Sequence, residues 1–345
     1  MLCGMSPQKT LTLAFSLGCF GMVATALLLG GLMAMGSSDV DVELEPPEDP
    51  SFGPDDRLVE GPGSPDWAGG SPTQGTTPIV AEEVGASDDS SRDLRISLRA
   101  LGLDRALLVF MVREGRTIYG LRASGEEAFA LWTALRANTQ STGYYPVILG
   151  DGSALEAHRV AADPARGSHG SASPARILEE ASSADADAWL EAQTRRAGEE
   201  FSELPRWPEG EAPIGGVRVA PYAIPMDALS GEPLAHVAVA LVPTQHSWEV
   251  PAWLAFGGWN DCPNAWVHVA LFRRWYAQYG AEVVGISTDA VEMRVLRPPS
   301  EMDAAFRLAR EHCAYASDFG QRPCESRDGL ARELRGVPYW HFWWD

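Results

Sequence analysis

From Trp248 to Gly280 the chain carries a tryptophan every few residues, a Gly257-Gly258 break and the periodicity of a long helix. Two adjacent glycines interrupt any preceding element and permit positive φ. Asn260 or Asp261 can serve as N-cap of the helix, and Pro263 is tolerated only in a first helical turn. Val267, Leu271 and Trp275, with Ala270 beside them, recur at helical spacing as one apolar stripe. Arg273, Arg274 and Gln278 fall largely off that stripe, and Gly280 suits the position just past the helix end.

The residues that follow complete a unit. Ala281–Ser287 is short and β-branched, hence a strand, and Thr288-Asp289 turns it into a second strand, Ala290–Leu296, ended by Pro298-Pro299. Ser300 is placed to cap a helix, with Asp303 in the capping-box position and Met302, Ala305, Phe306 and Ala309 on one face. Ser326–Arg335 reads as a short helix closed by Gly336 and Pro338. The chain ends on Tyr339-Trp340-His341-Phe342-Trp343-Trp344-Asp345. Both alternating sets of that strand are apolar, which predicts a strand covered on both faces and interior to its sheet. With Ala235–Val242 as first strand, the order is β-α-β-β-α-α-β, an α+β fold with helices packed on a mixed sheet.

The words WEVPAWLAFGGWNDCP, HVALFRRWYAQYGAEVV, VEMRVLRPP and YWHFWWD, in that order, resemble the bacterial family of unknown function DUF4253 over about residues 236–345. Upstream, ALWTALRANTQSTGYYPVILG resembles the leading half of such proteins more weakly. Where the family pattern has Tyr-Cys-Pro-Asp after the second helix, this chain has Tyr315-Ala316-Ser317-Asp318, so that cysteine is missing. The resemblance implies a fold unit and a bacterial origin, and brings no activity with it.

At the other end, Leu11–Met35 holds no charged residue over 25 positions, enough to cross a bilayer. Lys9 and the amino terminus precede it, and Asp39, Asp41, Glu43 and Glu45 follow, so the remainder is expected outside the cytoplasmic membrane. Three readings stay open: an uncleaved single-pass anchor, a signal peptide cleaved near Ala34-Met35-Gly36, and a lipoprotein at Cys19. Gly36–Arg92 contains 14 acidic residues, two arginines and eight prolines, so it carries about −12 of the chain's −20 charge. Such composition predicts an extended, disordered linker. Four segments result: 1–36 anchor or signal, 37–92 linker, 93–204 an N-terminal subdomain, and 205–345 the DUF4253-like domain.

Within the N-terminal subdomain, Ala106–Val112 and Thr117–Leu121 read as a hairpin. Ser124 with Glu127 forms a capping box opening a helix over Gly125–Asn138. Tyr144–Leu149 is a strand, Gly150-Asp151-Gly152 a turn, Ala161–Ser173 a loop and Pro174–Phe201 a helix.

Chemistry is harder to place. A thiol at a helix start, as Cys262 is, can become a thiolate, but His268 six residues on does not share its helical face. His312, Cys313, Cys324 and His341 lack the close ligand pairs of a zinc site, so no metal is expected. In an exported domain a Cys313–Cys324 disulfide fits better. Glu249, Asp261, Asp289, His341 and Asp345 could supply acid–base groups, although their spacing selects nothing. No phosphate loop, serine elbow, HExxH or dinucleotide fingerprint occurs, and none implies a cofactor. Lys9 is the single lysine among 27 basic residues, and an acidic chain without a basic cluster argues against nucleic acid. Trp259, beside the two glycines, can sit at a pocket rim. Two main readings follow: a non-catalytic binding module displayed outside the membrane, or an enzyme with its site near Trp259, Cys262, His268 and His341. An immunity-type protein that neutralises a toxin is a third.

Overall fold

The computed structural model describes residues 77–85, 89–163, 172–196, 222–316 and 327–344. Leu11–Met35, most of the linker, Cys19, Cys324 and Asp345 lie outside the described residues.

One eight-stranded sheet organises the rest. Its strands are β1 (Glu82–Glu83), β2 (Leu108–Arg113), β3 (Arg116–Ala123), β4 (Tyr145–Gly150), β5 (Val237–Val242), β6 (Ala281–Ile286), β7 (Ala290–Val295) and β8 (Tyr339–Trp343). Their spatial order is β1-β2-β3-β5-β4-β6-β7-β8. Every neighbouring pair is antiparallel except β4 with β6. Strand β5 lies between β3 and β4, so residues on either side of the Pro205 region share one sheet. The central strands β4, β5 and β6 are buried at every position, as continuous apolar runs covered on both faces should be.

Helices cover both faces, numbered in chain order α1 (Asp89–Ala100), α2 (Gly125–Ala137), α3 (Thr139–Thr142), α4 (Gly152–Ala162), α5 (Pro174–Ser183), α6 (Ala186–Arg196), α7 (Val250–Leu254), α8 (Ala265–Tyr279), α9 (Met302–Tyr315) and α10 (Arg327–Leu334). On one face, α2 (Gly125–Ala137) places the Trp132 indole N–H on the Pro146 carbonyl at 3.0 Å. The capping box of Ser124 and Glu127 starts this helix as the sequence predicts. Arg136 of α2 and Arg294 of β7 both bind Glu282 of β6, a carboxylate 1% exposed in mid-strand. On the other face lie α7 (Val250–Leu254), α8 (Ala265–Tyr279) and α9 (Met302–Tyr315). Trp275 of α8 stacks on Phe342 of β8 with ring centres 5.5 Å apart, and Tyr315 meets the same ring edge-on at 4.9 Å. Each fully buried aromatic side chain contributes roughly 2–3 kcal/mol, so this cluster is a principal source of stability.

Several expectations need correction. Strand β8 is the sheet edge, not an interior strand, and only one of its faces is buried. Trp340 and Phe342 turn into the helices, whereas His341 and Trp343 are exposed. Tryptophan and histidine have an apolar body and a polar edge, so an all-aromatic strand can still have a wet face. Trp343 uses its indole N–H on Asp289 at 3.0 Å. Ordered chain also begins earlier than Asp93. Residues 77–85 follow the sheet, Ile79 is 4% exposed, and a helix spans Asp89–Ala100. Local propensity at Glu82–Glu83 is poor, and pairing with β2 overrides it. Asp151 caps a helix over Gly152–Ala162, which fills the stretch between the expected turn at Gly150–Gly152 and the expected loop from Ala161 and takes the first two residues of that loop. Pro174–Phe201 is divided into Pro174–Ser183 and Ala186–Arg196 at the extended Ala184. Helix α8 starts at Ala265 with Asn264 as N-cap, because Trp259–Cys262 is spent on a turn. Glu301, not Ser300, precedes α9.

Candidate functional site

Three of the four residues singled out from the sequence gather on the helix-covered side of β8. The chain after α7 turns at Ala255 in the left-handed region and passes through Gly257 at φ +102°. A Cβ on Gly257 would collide with the Pro263 carbonyl oxygen and stand 2.6 Å from His268 Nε2, so glycine is required there. This close turn carries Cys262 back over the first turns of α8, with its Sγ 3.6 Å from His268 Nε2. Trp259 packs edge-on against Phe256 at 6.3 Å, and Phe256 lies 5.0 Å from the His268 ring. Tyr315, at the end of α9, holds its hydroxyl 2.6 Å from His268 Nδ1. Trp344 closes the far side at 5.6 Å from His268.

A cysteine, a histidine and a tyrosine in series suggest a nucleophile, but the electrostatics oppose it. A neutral imidazole has one donor and one acceptor nitrogen. Nδ1 pairs with the Tyr315 hydroxyl at 2.6 Å, and the ring also bonds the Pro263 carbonyl. Burial pushes the Cys262 thiol far up, against a weaker opposite pull from the Gly258 amide. Burial also lowers His268 to about 3. The pair therefore rests as thiol and neutral imidazole, whereas nucleophilic cysteine chemistry needs the thiolate. Cys262 is 4% exposed and His268 fully buried. The hollow between Ser183–Asp187 and Ala270–Ala277, and that between Glu83–Val84 and Arg95–Leu107, include neither residue.

His341 is elsewhere. It projects from the opposite, exposed face of β8, with Nδ1 3.4 Å from Glu292 Oε1. Glu292 is 1% exposed in β7, and its Oε1 accepts from the backbone amides of Ala223 and Ile224. Its Oε2 is buried without a hydrogen-bond partner. Asp289 accepts from Ser287, Thr288 and Trp343 and Glu249 accepts from Thr244, so these two carboxylates are held by separate neighbours, and Asp261 is exposed. Among the described residues no group of three His, Cys, Asp or Glu could hold a metal ion. Cys313 is disulfide-bonded and Cys262 is free, while Cys324 lies outside the described residues.

The backbone of β8 is as distinctive as its side chains. Val295 N–H donates to Pro338 O at 2.7 Å and Trp344 N–H to Asp289 O at 3.0 Å, which sets the ladder's phase. Residues 340, 342 and 344 therefore turn their peptide groups to β7, and Tyr339, His341 and Trp343 turn theirs outward.

This layout of β5, α8, β6, β7, α9 and β8 is the frame that the quoted words of the sequence outline. Residues 238–345 match DUF4253, a domain of unknown function. The Cys262 cluster and the β8 edge both fall inside the DUF4253 region, whereas Arg136 and Trp132 on the opposite face come from before it. Neither curated proteins nor solved structures yield a significant match to the chain.

Tyr315 and Glu292 were not singled out from the sequence. A glutamate between Val291 and Met293 in a β-strand, as in VEMRV, was the available sign for the second. Tyr315 carried none, because its partner lies 47 positions away.

Proposed function

We propose that this chain is a membrane-tethered bacterial protein whose folded region is a non-catalytic binding module outside the cytoplasmic membrane, with β8 as its binding surface. The observation that carries this reading is the edge of β8, unpaired among the described residues, where the outward groups of Tyr339, His341 and Trp343 meet an exposed aromatic side chain, Trp343 at 40% exposure. Edge strands bind by adding a strand, with main-chain hydrogen bonds for affinity and alternate side chains for selectivity. The closed Cys262 cluster, a buried thiol beside a neutral imidazole, supports the non-catalytic part. An enzyme reading would now rest on His341 beside the buried Glu292 rather than on Cys262. The tether is argued from Leu11–Met35 and the acidic linker. Among the described residues no helix is long and apolar enough to cross a membrane, and Leu11–Met35 is outside them.

The binding claim is tested with a photo-crosslinking residue at position 343 of the full-length chain in bacterial cells. A discrete adduct is expected there and not at the exposed control Leu229. An absent adduct at 343 defeats the reading. For the tether, a reporter fused after Arg92 is expected to be active only outside the cytoplasm, with the protein resisting a carbonate wash. A soluble product beginning near Ser37 would replace the anchor by a cleaved signal.

A further inference from the structure

We propose that β8 pairs with β8 of a second copy of this chain, antiparallel, about a two-fold axis through His341. This rests on reading β8 as the binding surface and names its partner. Natural sheets protect their edges with charge, proline or very short strands. The opposite edge obeys this rule: β1 is two exposed glutamates. Strand β8 does not, since Tyr339–Trp343 contains neither a charged carboxylate, lysine or arginine nor a proline.

The outward set reads aromatic, imidazole, aromatic in either direction. Reversal places His341 opposite His341 of the other copy and Tyr339 opposite Trp343, so the same patch serves both sides, as a closed two-fold dimer requires. All three outward residues fall in hydrogen-bonded pairs under this register, and the flanking aromatic pairs add cross-strand contact. Charge agrees with it. Tyr339 sits opposite Arg294, where two arginines share Glu282, and Trp343 sits by Asp289. The axis brings the cationic end of one copy alongside the anionic end of the other. A heterologous strand would gain the hydrogen bonds but would find this pattern of ends only by coincidence.

The register makes the test specific. In the full-length chain His341→Cys is expected to form a disulfide-linked dimer on mild oxidation, at least tenfold above the parent chain with its native cysteines. Residues opposite one another in such a pair have Cα atoms about 5.5 Å apart, within disulfide reach. Trp343→Cys alone should give no more than the parent, whereas Tyr339→Cys mixed with Trp343→Cys should cross-link. Equal cross-linking of all single variants would indicate collision and overturn the proposal. Absence of the His341→Cys dimer, in a chain whose melt matches the parent, would overturn it as well. If the adduct at position 343 then contains a different protein, β8 remains a binding surface and only the self-pairing falls. Should His341→Cys fail to fold, sedimentation of the unmodified chain decides: a species that stays monomeric at high concentration contradicts the proposal.

Discussion

His268 and Tyr315 fix one another: the tyrosine hydroxyl lies 2.6 Å from His268 Nδ1 in a site where neither side chain meets solvent. The pair sits beside the Cys262 thiol, whose sulfur is 3.6 Å from His268 Nε2. Removing one partner of a buried hydrogen bond costs about 1–3 kcal/mol. Tyr315→Phe should therefore lower the melting temperature by about 2–12 °C, at roughly 2–4 °C per kcal/mol for a region of this size. Calorimetry checks it, and an unchanged melt would mean that the pair is not coupled.

Three buried histidines give the fold an acid limit. Burial lowers His158 to about 4 and His268 and His312 to about 3, from 6.5. Between those values and 6.5 the unfolded chain binds protons that the folded chain refuses, so stability is full above about pH 6.5 and falls as the pH drops. At pH 5 each histidine costs about 2 kcal/mol, since each of about 1.5 units is worth 1.36. Together they cost about 6 kcal/mol, a large share of a usual 5–15 kcal/mol. Denaturant midpoints should fall steeply from pH 7 to 5. His312→Phe should remove about one proton of that slope, and flat stability over the range would refute the account.

The two faces of β8 should respond oppositely. Trp340 is 2% exposed and packs on Trp275 and His312, so Trp340→Ala should cost about 3–5 kcal/mol. Trp343→Ala, on the wet face, should stay within about 1 kcal/mol. Comparable losses at both positions would mean that the outer face is covered.

The helix periodicity of Val267, Leu271 and Trp275 and the short β-branched runs made the C-terminal order readable, because local pattern and final burial agree there. Position within the sheet was not readable. An aromatic strand looks the same in the interior and at the edge when its outward residues are Tyr339, His341 and Trp343, whose rings carry their own polar atoms. The insertion of β5 between β3 and β4 is a long-range pairing with no local mark. The same holds for the site: Cys262 and His268 could be named from type and proximity, but their lock by Tyr315 depends on where α9 ends.

The binding role of β8 is tested most directly by His341→Pro in the full-length chain, read by the photoadduct at position 343. The His341 N–H points away from β7, so proline removes an outward donor without breaking the internal ladder, as edge strands allow. The account predicts a melting temperature within a few degrees of the parent and at least a tenfold loss of adduct. A chain that melts like the parent and keeps its adduct with proline in place would contradict it.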